Sequence, residues 1–415
     1  MRDMGRSDDP RVQAQLDRLG SLSIQRDTLG LDAIRELLRR LGDPHKRLPP
    51  VFHVAGTNGK GSTCAFLRAM LEAEGYKVHV TTSPHLVRYN ERFRVAGKLI
   101  EDARLAELLE EVFDAAEGLD CSFFEISIAA AFVEFARVPA DACVVEVGLG
   151  GRLDATNVLE PDVLAACGIA ALGIDHEKFL LAPEDGVPQE PMARIAFEKA
   201  GIAKKGVPLV TIAQPEQERQ AIETVAKDAG APVIIASRVD ERDLALPGEH
   251  QGLNAGLAIA MLRSQSKITV SDEAIAIGLR TASWPARLQL LSEGPLTALA
   301  PEQEIWLDGG HNPSAGAMLG AHFACHGVHL IIGMIEGKDP LAIIGPLGDR
   351  IRTLQVVPVP NFPSHPVKAF GPQAKAAANI EEALLNLPSD DYSVLIVGSL
   401  YLAGEVLRLN DEIPD

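Results

Sequence analysis

A glycine-rich turn between an apolar strand and a helix is the feature that most restricts the fold of this chain. The apolar run Val51–Ala55 predicts a buried strand, the turn Gly56–Gly61 follows at once, and Ser62–Glu74 has the pattern of a helix. Gly75 ends that helix, and Val78–Thr82 predicts the next strand. Apolar strands that alternate with helices form parallel sheets covered on both faces, so the expected fold class is α/β.

The same alternation continues along the rest of the chain. Further strands are predicted at Ala142–Val147, Val163–Ile169, Pro208–Ile212 and Pro232–Ala236. After a boundary near Ser283–Ala286, a second series has predicted strands at Ile305–Asp308, Val328–Gly333, Thr353–Val357 and Ser393–Val397, with helices at Ala315–His326 and Ile380–Leu387. The pattern therefore predicts a large N-terminal α/β domain over residues 1–283 and a smaller C-terminal α/β domain over residues 284–415.

Composition excludes several classes of protein. The 415 residues include 39 basic and 57 acidic side chains, a net charge of −18, which disfavours nucleic-acid binding. No apolar run approaches the ~18–20 residues that cross a bilayer, and the N-terminus lacks the apolar stretch of a secretory signal. The five scattered cysteines form no C-x-x-C pair. We therefore expect a cytoplasmic protein that binds neither membranes nor nucleic acid.

The glycine-rich turn has the composition of a phosphate-binding loop. Its residues are Gly56, Thr57, Asn58, Gly59, Lys60, Gly61 and Ser62. Backbone N–H groups and a helix N-terminus attract phosphate oxygens, Lys60 would reach the β- and γ-phosphates, and the Ser62 hydroxyl would face Mg²⁺. Gly61 separates the lysine from Ser62, unlike the standard pattern. The turn predicts a bound nucleotide, and the alternative is a strand–helix turn that binds nothing.

Polar residues at the ends of later strands are candidates for metal ligation. Glu146 lies near the end of a strand that is otherwise apolar, where a charge needs compensation, so it is a candidate Mg²⁺ ligand. The less favoured alternative is that the glycine-rich turn after it merely satisfies this carboxylate. The following segment 148–157 has the composition of either a binding loop or a plain connection. Asp175-His176 offers a further ligand, although a lone histidine is more often structural.

Eight motifs together carry a resemblance to a known family. In chain order they are GTNGKGS (56–62), TSPHLVRYNERFRVAG (82–97), FFEI (123–126), EVGLGGRLDATN (146–157), DH (175–176), EKAGI (198–202), DGGHNPSA (308–315) and GSLYLAGEV (398–406). From about residue 25 onward the chain resembles the folylpolyglutamate synthase/dihydrofolate synthase family of the bacterial bifunctional type, in the Mur ligase superfamily. This resemblance implies ATP-dependent amide formation between L-glutamate and dihydropteroate or a reduced folate. It also implies a P-loop domain followed by a Rossmann-like domain.

The resemblance assigns roles to individual residues. It implies Mg²⁺ ligation by Ser62, Glu146 and His176, and a carbamylated Lys199 at a second metal site, with a monovalent cation as a further cofactor. It places Asn254 near the adenine ring. It further implies that Lys60, His176, Lys199, Asp308 and His311 are catalytic and that Arg287 and Asp308 bind the nucleotide. Without the resemblance, Lys199 would be predicted to form a surface salt bridge to Glu198.

A substrate surface is expected beside the loops. Residues predicted to bind the substrate are Pro84, His85, Arg88, Phe124, Arg152 and Asp154, with Arg92 as a further counter-charge. Phe124 could instead be ordinary core of a helix beginning at Phe123, and any of Arg88, Arg92 and Arg152 could instead pair with surface acids. Segment 182–188 is an apparent insertion between His176 and Lys199, and segment 27–32 matches only in part the family's pterin-contacting stretch.

Several alternatives stay open from the sequence. Three other classes of protein would contain the same glycine-rich loop. They are a P-loop kinase, a nucleotide-gated binding module without chemistry, and a Mur-type ligase acting on a UDP-sugar peptide. His322, Cys325, His326 and His329 have spacings that zinc ligands can adopt, but a structural role is the favoured interpretation. The protein is expected to be a monomer that works on small molecules.

Overall fold

The computed structural model describes residues 7–22 and 30–414. These residues divide into two compact units, one running to Ala245 and resuming at Gln251–Ser283, the other formed by Leu246–His250 with Trp284 onward. The first three residues of the partly matching segment 27–32 lie outside the described residues. The described residues contain no helix that is both long enough and apolar enough to span a bilayer.

The first unit is built on one sheet. Its helices are α1 (Pro10–Ser21), α2 (Asp32–Arg40), α3 (Lys60–Ala73), α4 (Asp102–Ala115), α5 (Phe123–Arg137), α6 (Glu177–Leu180), α7 (Pro191–Ala200), α8 (Glu216–Ala229), α9 (Gln251–Arg263) and α10 (Asp272–Thr281). Its strands are β1 (Val51–Ala55), β2 (Val78–Thr81), β3 (Arg94–Val95), β4 (Lys98–Leu99), β5 (Ala142–Glu146), β6 (Leu164–Ile169), β7 (Leu209–Thr211) and β8 (Val233–Ile235). Within the described residues these eight strands lie in the order β4-β3-β2-β5-β1-β6-β7-β8, parallel from β2 to β8.

Burial on both faces explains the apolar strands. In β1, Val51 and Ala55 join the core formed with α1, α2, α4 and α5, while Phe52 and Val54 are buried outside that core. Successive strand side chains point to opposite faces, so helices must cover both sides of the sheet. The α/β prediction for this part of the chain is confirmed.

The helix after the glycine-rich turn begins earlier than predicted. Helix α3 starts at Lys60 instead of Ser62, with Gly59 as its N-cap at φ +84°. The left-handed backbone of Gly59 turns the chain sharply enough for Lys60 and Gly61 to enter the first helical turn. The lysine therefore stands at the helix N-terminus, where backbone N–H groups lack intrahelical partners.

The second unit has its own sheet. Its strands are β9 (Gln289–Leu290), β10 (Ile305–Leu307), β11 (Val328–Ile332), β12 (Ile351–Val356), β13 (Lys375–Ala376) and β14 (Ser393–Val397). Its helices are α11 (Pro313–His322), α12 (Leu341–Leu347), α13 (Ile380–Leu385) and α14 (Leu400–Leu409). Only β9 pairs antiparallel in the order β13-β12-β11-β14-β10-β9 of the described strands. Helix α11 ends four residues before its predicted end, because residues 323–326 form turns.

The zinc alternative for the four residues near α11 is wrong. His329 is buried in β11, with Nδ1 2.9 Å from Thr353 Oγ1 and Nε2 2.8 Å from Asp390 Oδ1. His322 packs its ring against Trp306 and Phe323 instead. Across residues 7–22 and 30–414, no three His, Cys, Asp or Glu side chains come together as a metal-binding group. His329 and His322 therefore have structural contacts, as the favoured interpretation predicted for them.

Candidate active site

Four loops meet at one edge of the first unit's sheet. Glu146 of β5 lies beside Val54 of β1, and Val54 lies beside Gly168 of β6. Because the carboxyl ends of parallel strands share an edge, the loops that leave β1, β2, β5 and β6 gather there. These loops contain residues 56–60, 82–92, 147–157 and 170–176, which include most of the predicted site residues of this unit.

The glycine-rich loop is held by the loop that follows β6. The backbone N–H groups of Thr57 and Asn58 donate to the carbonyl of Ala171 at 2.8 and 3.1 Å. The Thr57 hydroxyl donates to the Gly173 carbonyl at 2.8 Å and accepts from the Gly173 N–H at 3.1 Å. Lys60 Nζ donates to the Gly56 carbonyl within its own loop at 3.1 Å. These hydrogen bonds fix the path of the loop backbone.

A pair of side-chain amides on α9 supports the other side of this loop. The Asn254 amide lies so close to Gly59 that a Cβ there would collide with it, which together with φ +84° explains the glycine. Asn254 Nδ2 donates to Gln251 Oε1 at 2.9 Å, and Gln251 Nε2 donates to Ser62 Oγ at 3.4 Å. Sequence reasoning missed Gln251. The spacing of two amides at i and i+3 on one helix was the available signal.

Lys199 is buried directly beneath the glycine-rich loop. Its side chain on α7 is 4% exposed, and Nζ donates to the Gly56 carbonyl at 2.9 Å. Burial, reinforced by the charge of Lys60, lowers the pKa of Lys199 to about 7. Glu198 pairs with Arg152 and Arg194 instead, so the alternative of a surface bridge between Lys199 and Glu198 is wrong.

Glu146, the last residue of β5, lies at the same edge of the sheet. Its register partner is Val54 of β1, which stands two residues before the glycine-rich loop begins at Gly56. The Glu146 side chain is buried, and Oε2 accepts from the Ser83 N–H at 3.0 Å. Burial is the main cause of a raised pKa at the Cys64 thiol. The negative charge of Glu146 raises this pKa further, and the positive charge of Lys60 lowers it. Glu146 and Lys60 are therefore both within electrostatic range of one side chain on α3.

His176 is placed on the loop after β6 in an unusual backbone conformation. Its φ is +53°, its side chain is 42% exposed, and Nε2 lies 3.9 Å from Asp175 Oδ2. Asp175 Oδ1 also accepts from the His176 N–H at 2.9 Å. A left-handed non-glycine residue is uncommon and is often found at functional sites.

The donor set suits a magnesium ion that binds mainly through phosphate. The described residues hold no preformed group of three His, Cys, Asp or Glu, whereas Ser62 lies in the first turn of α3, Glu146 at the end of β5 and His176 on the loop after β6. Magnesium typically uses one or two carboxylates together with phosphate oxygens and water. The residues therefore fit such an ion.

The loop after β2 presents part of the predicted substrate surface. His85 Nδ1 accepts from Arg92 Nε at 3.0 Å, and burial lowers the pKa of His85 to about 4, so the ring is neutral. The Arg92 guanidinium lies 5.5 Å from the ring centres of Tyr89 and Phe123. Arg92 is consequently packed within the protein. Pro84 is exposed and Arg88 is half-buried.

Phe124 is not simply a core residue. It is partly buried against the main core, whereas its neighbour Phe123 is a full member of that core. The Phe124 ring lies against the backbone of Gly148, at the start of the loop after β5. The ring therefore stands where α5 meets this loop, and its role in substrate binding stays a prediction.

Asp154 and Arg152 are engaged inside the loop after β5. The Asp154 carboxylate accepts from the N–H groups of Leu149 at 2.8 Å and Thr156 at 3.0 Å, and also from the Thr156 hydroxyl. Burial raises the pKa of Asp154. His53 Nε2 lies 2.8 Å from Thr156 Oγ1, a support that sequence reasoning missed although a histidine inside an apolar strand was visible. Arg152 pairs with Glu184 and Glu198.

Three predicted site residues of the second unit, Arg287, Asp308 and His311, lie near the carboxyl end of β10. The buried Asp308 carboxylate accepts from the Leu288 N–H at 2.9 Å and the Gly310 N–H at 2.7 Å. Burial raises the pKa of Asp308 and the Arg287 charge opposes that shift. His311 Nδ1 lies 3.1 Å from the Gly309 carbonyl oxygen. A carboxylate, a guanidinium and an imidazole thus share the carboxyl end of one strand.

Comparison with known proteins identifies the family. The dihydrofolate synthase/folylpolyglutamate synthase of Bacillus subtilis is 37% identical over 317 residues, which cover 68% of this chain and 69% of that protein. The chain belongs to the folylpolyglutamate synthase/dihydrofolate synthase family. It is also 32% identical, over 91% of its length, to a probable bifunctional folylpolyglutamate synthase/dihydropteroate synthase of Halobacterium salinarum, but spans about half, 49%, of that relative. No family model matches the chain.

Solved structures of this family have the same fold. Escherichia coli FolC in complex with DHPP and ADP matches with a TM-score of 0.83 and 30% identity, over 96% of this chain and 97% of that one. The Yersinia pestis folylpolyglutamate synthase/dihydrofolate synthase, complexed with AMPPNP and Mn, matches with a TM-score of 0.80 and 29% identity over the same shares. The predicted architecture of a P-loop domain followed by a smaller α/β domain is confirmed.

Proposed function

We propose that this protein is an ATP-dependent ligase that adds L-glutamate to dihydropteroate, to the glutamate tail of reduced folates, or to both. The observation that carries the proposal is the glycine-rich loop after β1 with Lys60 at the start of α3 and Lys199 beneath Gly56. Membership of a family whose solved structures hold ADP with DHPP, or AMPPNP with Mn, supports both the nucleotide and a divalent metal ion.

The reaction needs ATP because a carboxylate has no usable leaving group. A substrate carboxylate oxygen would attack the γ-phosphorus, which breaks the bond to the β-phosphate oxygen and releases ADP. The neutral amine of glutamate would then attack the acyl carbon, lose a proton and expel phosphate. One ATP is consumed for each amide bond formed.

The chain's own residues would act mainly by neutralising charge and by positioning. Lys60 and the backbone N–H groups at the start of α3 would offset the charge that develops on the transferring phosphoryl group. Asn254 lies against Gly59 and would border the nucleotide. In the second unit, Arg287, Asp308 and His311 offer the charges that a nucleotide and an amino acid require. These assignments follow the resemblance and the placement of each residue.

Ser62, Glu146 and His176 would hold Mg²⁺, with Lys199 at a second metal site. When bound, the metal ion would neutralise phosphate charge and orient the γ-phosphate. Lys199 would serve as a carbamate: its ammonium first loses a proton, and the neutral Nζ then adds to CO₂ and loses a second proton, so that a buried cation becomes an anion. The buried position of Nζ beside Lys60 supports this modification. A monovalent cation is a further proposal of the resemblance alone.

For the substrate, we propose that the surface of Pro84, Arg88 and Phe124 receives the pterin part. His85 would contribute as a neutral ring, since its Nδ1 accepts from Arg92. Asp154 and Arg152 would shape the adjoining loop, because their side chains already bond within the protein. A cytoplasmic location and a monomeric state are further proposals from the sequence.

The decisive assay offers the purified protein ATP, Mg²⁺ and labelled glutamate with dihydropteroate, a reduced folate or a UDP-sugar acid in turn. We expect phosphate release in step with amide formation on a pterin substrate. ATP use with a phosphorylated product in the absence of glutamate would indicate a kinase instead. Amide formation on the UDP-sugar acid alone would indicate a Mur-type ligase, and ATP binding without any turnover would contradict enzymatic function.

His176→Ala should raise the Mg²⁺ concentration needed for half-maximal turnover. The imidazole stands on the loop after β6, and its loss removes one of three proposed ligands, so we expect a rise of about tenfold. The measurement is turnover against Mg²⁺ concentration at saturating ATP. Lys178→Ala, which removes an exposed side chain two positions away, is the control. An unchanged Mg²⁺ titration in His176→Ala would assign that histidine a structural role.

A further inference from the structure

The segment between α6 and α7 is fastened by one acidic side chain. Glu184 Oε2 accepts from Arg152 Nη2 at 2.6 Å and from Arg194 Nη2 at 2.7 Å. The Glu184 side chain is 40% exposed, whereas that of Arg194 is 6% exposed. The Glu184 carboxylate, which belongs to a largely exposed segment, therefore pairs with Arg152 and Arg194 on their solvent-facing side.

Glu198 holds the same two arginines from the inner side. Arg152 donates to Glu198 through Nε at 3.1 Å and Nη2 at 2.9 Å, and Arg194 Nη2 lies 3.0 Å from Glu198 Oε1. Both guanidinium groups also lie over the ring of Phe197, at 5.3 and 5.9 Å. Two cations are thus shared between two anions. Loss of Glu184 would leave one positive charge of the cluster uncompensated.

This cluster connects the loop after β5 to the helix that carries Lys199. The Arg152 N–H donates to the Glu198 carbonyl at 2.7 Å. A Cβ on Gly151 would lie 2.8 Å from the Glu198 carbonyl oxygen and 2.9 Å from that of Lys199, so the two backbones are in direct contact. The loop after β5 and helix α7 are therefore in contact through their backbones, and the Arg152 side chain continues this contact outward to Glu184.

The segment that carries His176 is attached to the same loop at a second point. Leu180, the last residue of α6, is buried against Gly150. The short helix α6 has few internal bonds, which include those from the N–H groups of Phe179 and Leu180 to the His176 carbonyl at 2.9 and 3.0 Å. Such a short helix, with a left-handed residue before it, keeps one conformation only when its surroundings fix it.

We propose that Glu184 is a positioning residue that latches segment 176–190 to Arg152 and Arg194 and thereby fixes the position of His176. Segment 182–188, which the sequence analysis singled out, contains this latch residue. The bonds to the two guanidinium groups are charge-assisted and reach a largely buried partner, so they are stronger than an isolated surface ion pair. The consequence for catalysis rests on the proposed function, whereas the latch itself does not.

The test compares Glu184→Gln, Glu184→Asp and the matched control Asp185→Asn in the full-length protein. Asp185 is the next residue, is exposed and forms no ion pair among those of the described residues, so its substitution changes the net charge equally. Hydrogen–deuterium exchange of the peptide spanning 176–190 is the first measurement. The Mg²⁺ concentration for half-maximal turnover is the second.

We expect Glu184→Gln to speed exchange at residues 179–181 about tenfold, which corresponds to ~1.4 kcal/mol of local opening free energy. The Mg²⁺ requirement should rise severalfold with kcat nearly unchanged, Glu184→Asp should recover part of both effects, and Asp185→Asn should match the wild type. Wild-type exchange in Glu184→Gln, or an equal effect of Asp185→Asn, would overturn the latch.

Salt provides a test that needs no variant. Ion pairs with a partly exposed partner weaken as ionic strength rises, so wild-type exchange in 176–190 should increase between 0.05 and 0.5 M NaCl, a range that shortens the Debye length from about 14 to about 4 Å. The same change should have little effect on Glu184→Gln. Equal salt responses in the two proteins would contradict the proposal. If the wild type ligates no substrate at all, the proposed function fails, but the exchange experiment still decides the latch.

Discussion

Lys60→Ala should reduce turnover by about 10³-fold while the protein stays folded. A cation that offsets the charge of a transferring phosphoryl group contributes on this scale. The fold should survive, because among the described residues Lys60 Nζ donates to the carbonyls of Gly56 and Thr57 in its own loop, at 3.1 and 3.5 Å, and to no other group. The measurements are phosphate release with ATP, glutamate and a pteroate-type acid, and the midpoint of thermal unfolding.

Lys227→Ala is the matched control for that experiment. Lys227 is exposed in the last turn of α8, so its removal eliminates the same side chain away from the loops. The control should show wild-type turnover. Near-normal turnover of Lys60→Ala would remove the glycine-rich loop from the mechanism, and a large drop in its thermal midpoint would mean that the lysine is structural.

Glu146→Gln should raise the divalent metal concentration needed for turnover by at least ~100-fold, since even indirect partners of metal ligands contribute 10–100-fold. Glutamine keeps the size of the side chain, and its amide oxygen can still accept from the Ser83 N–H, now 3.0 Å from Glu146 Oε2. The substitution therefore removes mainly the negative charge that a Mg²⁺ ion requires. Turnover against Mg²⁺ and against Mn²⁺ measures the effect.

Glu134→Gln separates the loss of this charge from the loss of any buried carboxylate. Glu134 is buried on α5 and pairs with Arg104 Nη2 at 2.7 Å, far along the helix from the loops. Its substitution should cost stability without changing the metal requirement. Equal metal titrations for Glu146→Gln and the wild type would contradict metal binding by Glu146.

The order of strands and helices in the first unit was predictable from local pattern. The strands Val51–Ala55 and Ala142–Glu146 are buried on both faces. Strands buried in this way consist mainly of apolar residues, and such runs can be recognised in the sequence. Boundaries were less predictable. Helix α3 begins at Lys60 because Gly59 adopts φ +84°, and α11 ends at His322 instead of His326. Helix ends depend on single backbone angles, which residue type determines only weakly.

The hydrogen-bond and ion-pair partners of several site residues could not be predicted from the sequence. Lys199 looked like one half of a surface pair with Glu198, but its Nζ bonds to Gly56, 143 residues earlier, while Glu198 bonds to Arg152 and Arg194. Gln251 reaches Ser62 over a separation of 189 residues. Arg152, expected to face the substrate, pairs instead with Glu184 and Glu198, which lie 32 and 46 residues away along the chain.

The sequence by itself determined the α/β architecture, the phosphate-type loop and the family to which the chain belongs. These properties follow from short-range features, namely the period of apolar residues and the order of compact motifs. Only the tertiary structure decided which charges meet: the buried Lys199 beneath Gly56 and the cluster that ties Glu184 to Arg152 and Arg194. Such encounters depend on how distant strands and helices pack, because an electrostatic interaction is set by distance in space and not by separation along the chain.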